Sequence, residues 1–281
     1  MKKQLILVVV GLALTISLFF FGRTVAVKSK ADIPAPVAVK SFNIKQYIED
    51  FKKSLTPLQV AELNKMENSV TRGDVVTQQV QANNALANYW KDTIKAFEPY
   101  LYYISEAAKL ENSEKNLTFA AQLNLQSLRG EQDEAKINWQ AEEAIDLFQR
   151  AIKLNPANDT LKVGLGSCYV FGKGRIAGPA ETMKGIQQLL EVVRRDSTNM
   201  EAQLVLGIGG YTSGQFDKAI ERLLKVVKAE PNNLQAIAFL ADTYAAKGDK
   251  AEAIKWYTIS KKMANDPHYS KEVDQRIKEM N

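Results

Sequence analysis

The sequence predicts an all-α protein: a solenoid of antiparallel helix pairs, preceded by one N-terminal transmembrane or signal helix. Three observations carry this. A motif of about thirty-four residues repeats without a gap toward the C-terminus, so that Leu206-Gly207 corresponds to Leu240-Ala241, Ala219 to Ala253, Leu223 to Tyr257, Val226 to Ser260 and Pro231 to Asn265. A period of this length reads as stacked supersecondary units. Apolar residues recur at three-to-four spacing from Asn43 onward, the period of amphipathic helices. Leu5–Gly22 runs without a single charge.

That uncharged run, taken as a helix, is roughly 27 Å long, enough for a hydrocarbon core. Residues 1–23 therefore read as a transmembrane anchor or signal segment, with Thr24-Val25-Ala26 as a passable cleavage site. Lys2 and Lys3 resemble a secretory n-region, which places the amino terminus inside and the folded part outside, although Arg23, Lys28 and Lys30 weaken the positive-inside count. Residues 24–41, with Pro34 and Pro36 and no helical period, read as an extended linker reaching at most about 60 Å.

Residues 42–79 form an N-terminal helical pair. Ile44, Tyr47, Ile48, Phe51 and Leu55 mark the first helix. Thr56-Pro57 opens the second as an N-cap followed by a first-turn proline, and it runs to Val70. Arg72-Gly73-Asp74 then reads as a helix-ending turn and not as an adhesion motif. Residues 80–267 hold about five helix pairs, the first two degenerate. Leu86-Ala87 with Trp90, then Ile104 and Ala107-Ala108, mark the first. Asn116–Arg129 with Ala120-Ala121, then Ala144, Phe148 and Ala151, mark the second, with an insertion of about eleven residues expected between its helices. The third holds Leu165-Gly166 and Tyr169, then Gly185, Leu189 and Val192, with about seven extra residues between its helices. Residues 268–281 read as a C-terminal capping helix over the last pair's open face.

This pattern resembles the tetratricopeptide repeat family, and more closely the membrane-anchored members found in bacteria. The family motif sets a leucine and a small residue in the first helix with an aromatic three later, then small and aromatic residues in the second helix and a closing proline. Leu165, Gly166 and Tyr169, then Ala219, Leu223, Val226 and Pro231, then Leu240, Ala241, Tyr244, Ala253 and Tyr257 occupy those places. Gly210 stands where a tyrosine is expected, and Ser197 and Asn265 replace the closing proline. The resemblance implies a TPR-type α-solenoid whose first helices line a concave, protein-binding groove. The positions placed in that groove include Val163, Ser167, Phe171, Leu204, Ile208, Tyr211 and Asp242. Some members grip a peptide's terminal carboxylate with lysine and asparagine on these helices. Val163, Ser167, Leu204 and Ile208 occupy those places here, so a clamp of that type is not expected.

Composition narrows the function further. Lys2, Lys3, Arg23, Lys28, Lys30 and Lys40 against Asp32 place the whole net charge of +5 in the first forty residues, so the rest of the chain balances at zero. A nucleic-acid binder carries its positive charge on the folded domain, so no nucleic-acid partner is expected. Cys168 and His268 are the only residues of their kinds, which removes intramolecular disulfides, histidine triads and the common zinc sites built within one chain. The segment from Phe171 to Pro179 is glycine-rich and basic but lacks the strand and Gly-Lys-Ser/Thr of a phosphate loop, so it reads as a flexible inter-helix loop. No catalytic residues, cofactor or metal are expected, and the chain is not expected to be an enzyme. The expected function is a membrane-tethered scaffold that binds a peptide or helix of a partner protein for envelope complex assembly, with the soluble part periplasmic or otherwise extracytoplasmic. A secreted or periplasmic chaperone for unfolded chains is the alternative, and an enzyme with its site in the inserted loops a remote one.

Overall fold

The computed structural model describes residues 41–72 and 75–280. The anchor expected over 1–23, most of the linker over 24–41, and the Gly73-Asp74 part of the expected turn lie outside the described residues. Among the described residues all regular structure is helical, and no helix is long and apolar enough to cross a membrane.

Two helices, α1 (Ile44–Lys52) and α2 (Pro57–Arg72), come first. Local chemistry fixes where both begin. Asn43 caps α1 by accepting from the Gln46 N–H. Thr56 and Gln59 form a reciprocal capping box, Gln59 Oε1 accepting from the Thr56 N–H and Thr56 Oγ1 from the Gln59 N–H. The pairs that follow are α3 (Val76–Asn88, continued by a π-helical turn to Ile94) with α4 (Phe97–Glu111), and α5 (Glu114–Gly130) with α6 (Glu134–Leu154). Next, α7 (Asp159–Cys168, continued by a π-helical turn to Lys173) and the short α8 (Gly174–Ala177) pair with α9 (Pro179–Arg195). Then α10 (Met200–Thr212) pairs with α11 (Phe216–Ala229), α12 (Leu234–Lys247) with α13 (Lys250–Ala264), and α14 (Pro267–Met280) closes the array.

The repeat is visible in the caps. Asn158, Asn199 and Asn233 each sit at the start of a first helix and accept a backbone N–H two or three residues on. Helix ends differ because the closing residue differs. Asn265 stops α13 in the left-handed conformation at φ 48°, which asparagine tolerates better than most side chains.

Packing is between neighbours. The two helices of each pair touch, each second helix touches the next first helix, and first helices also touch across pairs (α5 with α7, α7 with α10, α10 with α12). Each pair therefore buries its apolar face on the next, so stability is shared along the array. The α7–α9 crossing shows why small residues are required. A Cβ on Gly185 would lie 2.5 Å from the Gly166 carbonyl oxygen, so the two backbones are in contact and only glycine fits. Phe148, Leu147, Leu161 and Cys168 are fully buried beside this crossing. Burial pushes the Cys168 thiol well above its ordinary range, and it packs as a small apolar side chain.

Two expected insertions are helical instead. The extra residues of the second unit do not loop out. They lengthen α6, which starts where Asp133 Oδ1 accepts from the Ala135 and Lys136 N–H groups, at 2.8 and 3.2 Å. The added turns bury Ile137 and Trp139, and the Trp139 ring packs tilted against Phe42 with centres 5.3 Å apart while Lys136 pairs with Glu98. The segment from Phe171 to Pro179 is likewise ordered. Its first part completes the π-helical turn, α8 follows, and Gly178 at φ 89° turns the chain into α9, with Pro179 in the first turn. Gly172 permits this path, since a Cβ there would meet that of Ala141 at 2.6 Å.

At the far end, α14 packs on α13 through the fully buried Val273, with Tyr269 and Ile277 beside it. Arg276 donates to Asp242 Oδ1 at 2.7 Å, and the Tyr257 hydroxyl donates to the same oxygen at 2.5 Å.

Candidate functional site

The first helices α5, α7, α10 and α12 converge on one pocket. It is lined by Arg129 at the end of α5, Val170, Phe171, Gly174 and Arg175 from the π turn and α8, Ile208 and Thr212 on α10, and Phe239 on α12. Its volume is about 380 Å³, in the range of sites that hold a side chain or small ligand. The floor is apolar, made by the buried Val170 and Ile208 with the half-buried Phe171 and Phe239. Tyr211 supports Phe239 edge-on at 5.8 Å and Phe216 at 6.5 Å. Burial, and then the charge of Asp242, raise the Tyr211 phenol above its usual range, so it stays neutral at physiological pH.

Two guanidinium groups border this floor. Arg129 lies over the Phe171 ring, 4.4 Å from its centre, and touches the Glu201 carboxylate at 3.4 Å. Arg175 donates to the Glu131 carbonyl at 2.9 Å and to Gln132 Oε1 at 3.1 Å, and among the described residues no carboxylate lies within ion-pairing distance of it. The geometry presents an apolar surface next to cationic, planar hydrogen-bond donors. No nucleophile–base pair borders it, and among the described residues no group of His, Cys, Asp or Glu could hold a metal ion.

The seven positions assigned to the groove divide in three. Phe171 and Ile208 line the pocket, and Tyr211 stands behind Phe239. Val163, Ser167 and Leu204 are buried among neighbouring helices and present no open surface, because the first helices of successive pairs pack directly on one another. Asp242 is engaged by Tyr257 and Arg276 and holds the terminal helix. Arg129, Arg175 and Phe239 join the site without being among the positions the repeat pattern assigns to it. Arg175 escapes that pattern because its glycine-rich surroundings read as a loop. In the continued helical path it lines the pocket and bonds the α5–α6 connection at Glu131 and Gln132.

The fold and this pocket define a repeat solenoid of paired helices with a ligand-sized hollow across its first helices. A sequence model of the tetratricopeptide repeat matches residues 211–271, which contain all of α11, α12 and α13, the last residues of α10 and the start of α14. No curated protein sequence matches the chain. Among solved structures, the thermophilic TPR protein TTC0263 from Thermus thermophilus is similar, with a TM-score of 0.52 and 16% identity, covering 70% of this chain and 98% of that one. MamA from Desulfovibrio magneticus RS-1 gives a TM-score of 0.48 at 19% identity, covering 69% of this chain and 97% of that one. PilW, a type IV pilus biogenesis factor, gives 0.48 at 20% identity, covering 72% and 90%. The likeness to TTC0263 is one of fold, and the TPR-type reading of the helix pairs rests on it together with the matched repeat.

Proposed function

We propose that this chain is a non-catalytic scaffold, tethered to a membrane by Leu5–Gly22, that takes a peptide or helix of a partner protein across its first helices for assembly of an envelope complex. The observation that carries the binding half is the pocket crossing α5, α7, α10 and α12, where apolar side chains remain accessible in a hollow shared by four helices. The tether rests on the uncharged run and its Lys2-Lys3 start. The same start supports an extracytoplasmic location for the helical array.

The test is site-specific photo-crosslinking of the full chain in its native membrane. A photoreactive residue at Thr212, on the pocket rim, is expected to capture a distinct polypeptide. One at Leu224, an exposed position on a second helix, is expected not to. Equal capture at both positions ends the binding half. A C-terminal reporter active only in the cytosol ends the proposed orientation, and release of the chain by alkaline carbonate ends the tether.

A further inference from the structure

The pocket has a chemistry of its own beyond being a groove. On the groove reading above, we infer that it selects a partner segment in which a carboxylate lies next to an aromatic or aliphatic side chain: an acidic-apolar peptide.

The argument is one of complementarity. Val170, Phe171, Ile208 and Phe239 offer a floor that a large apolar side chain would cover. Among the described residues, the only charged groups lining the pocket are Arg129 and Arg175. Neither is held in a close ion pair. Arg175 is exposed and bonded to neutral acceptors alone, so its charge has no carboxylate counterpart within reach among the described residues. Arg129 has one, Glu201, whose side chain is 53% exposed and sits at 3.4 Å, long for a charge-assisted bond. A ligand carboxylate with better geometry displaces that contact into water at small cost, since exposed ion pairs contribute little. The Phe171 ring beneath the Arg129 guanidinium, 4.4 Å from its centre, holds the cation at the pocket wall, and the N–H groups other than the one that meets Glu201 remain available to bond. A guanidinium is also the donor best matched to a carboxylate, because its fork bonds both oxygens.

The source of this site lies in the inserted segment. Arg175 reaches the pocket because the chain continues α7 through the π turn and adds α8 before turning at Gly178. A thirty-four-residue unit has no room for that arm. Neither α10–α11 nor α12–α13 carries a counterpart to it, so the recognition is local to this hollow and is not a property of the repeats in general.

The experiment uses the full chain in detergent micelles and three labelled decapeptides alternating phenylalanine with aspartate, asparagine or lysine, followed by fluorescence anisotropy. The aspartate peptide is expected to bind about tenfold or more tightly than its asparagine counterpart, with affinity falling as salt rises. Arg129→Gln with Arg175→Gln is expected to erase that difference, and Arg129→Glu with Arg175→Glu to move the preference to the lysine peptide. Thr212→Trp, which fills the hollow from an exposed position, is expected to abolish binding of all three. Thermal unfolding of each variant confirms that it remains folded. Equal binding of the aspartate and asparagine peptides, blocked by Thr212→Trp, overturns the acidic preference and leaves the groove standing. Binding that survives Thr212→Trp, or no binding of any peptide, overturns the preference and removes the groove with it.

Discussion

The guanidinium of Arg129 lies over the Phe171 ring, 4.4 Å from its centre, and joins the end of α5 to the π turn that extends α7. This contact crosses two units and forms one wall of the pocket. Phe171→Ala removes a half-buried ring and the platform on which Arg129 rests. The expected cost is about 1–2 kcal/mol in urea unfolding. A double-mutant cycle with Arg129→Gln is expected to give a coupling of about 0.5–1 kcal/mol. Strictly additive effects would mean that the two side chains are near one another without interacting.

Gly185→Ala is expected to reverse the usual sign of a helix substitution. An alanine in a helix interior ordinarily gains roughly 0.5–1 kcal/mol over glycine. Here the new methyl would stand 2.5 Å from the Gly166 carbonyl oxygen, which belongs to backbone and cannot rotate away. The α7–α9 crossing must then open, and a loss of about 2 kcal/mol or more is expected. Gly130→Ala, where nothing lies within 4 Å, is the control and should lose little or gain. A Gly185→Ala variant as stable as the control would mean that the helices do not touch at this point.

Most of the architecture is legible in the sequence because it depends on local rules. The spacing of Leu206-Gly207 and Leu240-Ala241, the pairing of Ala219 with Ala253, and the apolar period set the helices. The asparagine caps at 158, 199 and 233 set their starts. The pocket is less legible for a physical reason. Projecting the repeat onto a surface assumes that every first helix ends alike, and α7 does not. Its π turn holds an extra residue in the turn, which rotates every side chain beyond it relative to a regular helix. Phe171 therefore meets Arg129, and Arg175 arrives from a segment whose glycines suggest a loop. Val163, Ser167 and Leu204 lie buried because periodicity assigns a helix face but does not fix how closely adjacent first helices approach. The contact of Asp242 with Arg276 is not legible because Arg276 is thirty-four positions away on the terminal helix, too far for a local pattern to reveal.

Stability should decline above pH 10. Burial first, then the neighbouring Glu67, raises the Tyr103 phenol, whose hydroxyl donates to Glu67 Oε1 at 3.0 Å. Burial first, then Asp242, does the same for Tyr257. The ordinary tyrosine value is 10.0. Above that pH the unfolded chain has released these protons while the folded chain still holds them, so the unfolded state binds fewer protons and unfolding free energy falls as pH rises. The contribution is complete below pH 10 and is lost progressively above it, through the raised folded values. Tyr103→Phe and Tyr257→Phe should each flatten that decline, at the cost of about 0.5–1.5 kcal/mol at neutral pH for the lost hydrogen bond. Melting temperatures measured from pH 8 to 11 test this. Parallel declines in wild type and both variants would show that other groups govern the alkaline limb.

Ala241→Trp tests the neighbour-to-neighbour organisation at the C-terminal end. Ala241 is fully buried against Ala253, Tyr257 and Val273, where α12, α13 and α14 meet. An indole has no space there. Overpacking of a filled core typically costs about 1–3 kcal/mol. Because each unit leans mainly on its neighbours, the damage should stay local. Amide exchange is expected to quicken across α12, α13 and α14, while α5, α6 and α7, built around Phe148 and Leu161, keep their protection. Unchanged exchange at the C-terminal end would refute the placement of Ala241. Loss of protection spread evenly along the chain would show instead that the helices unfold as one cooperative body.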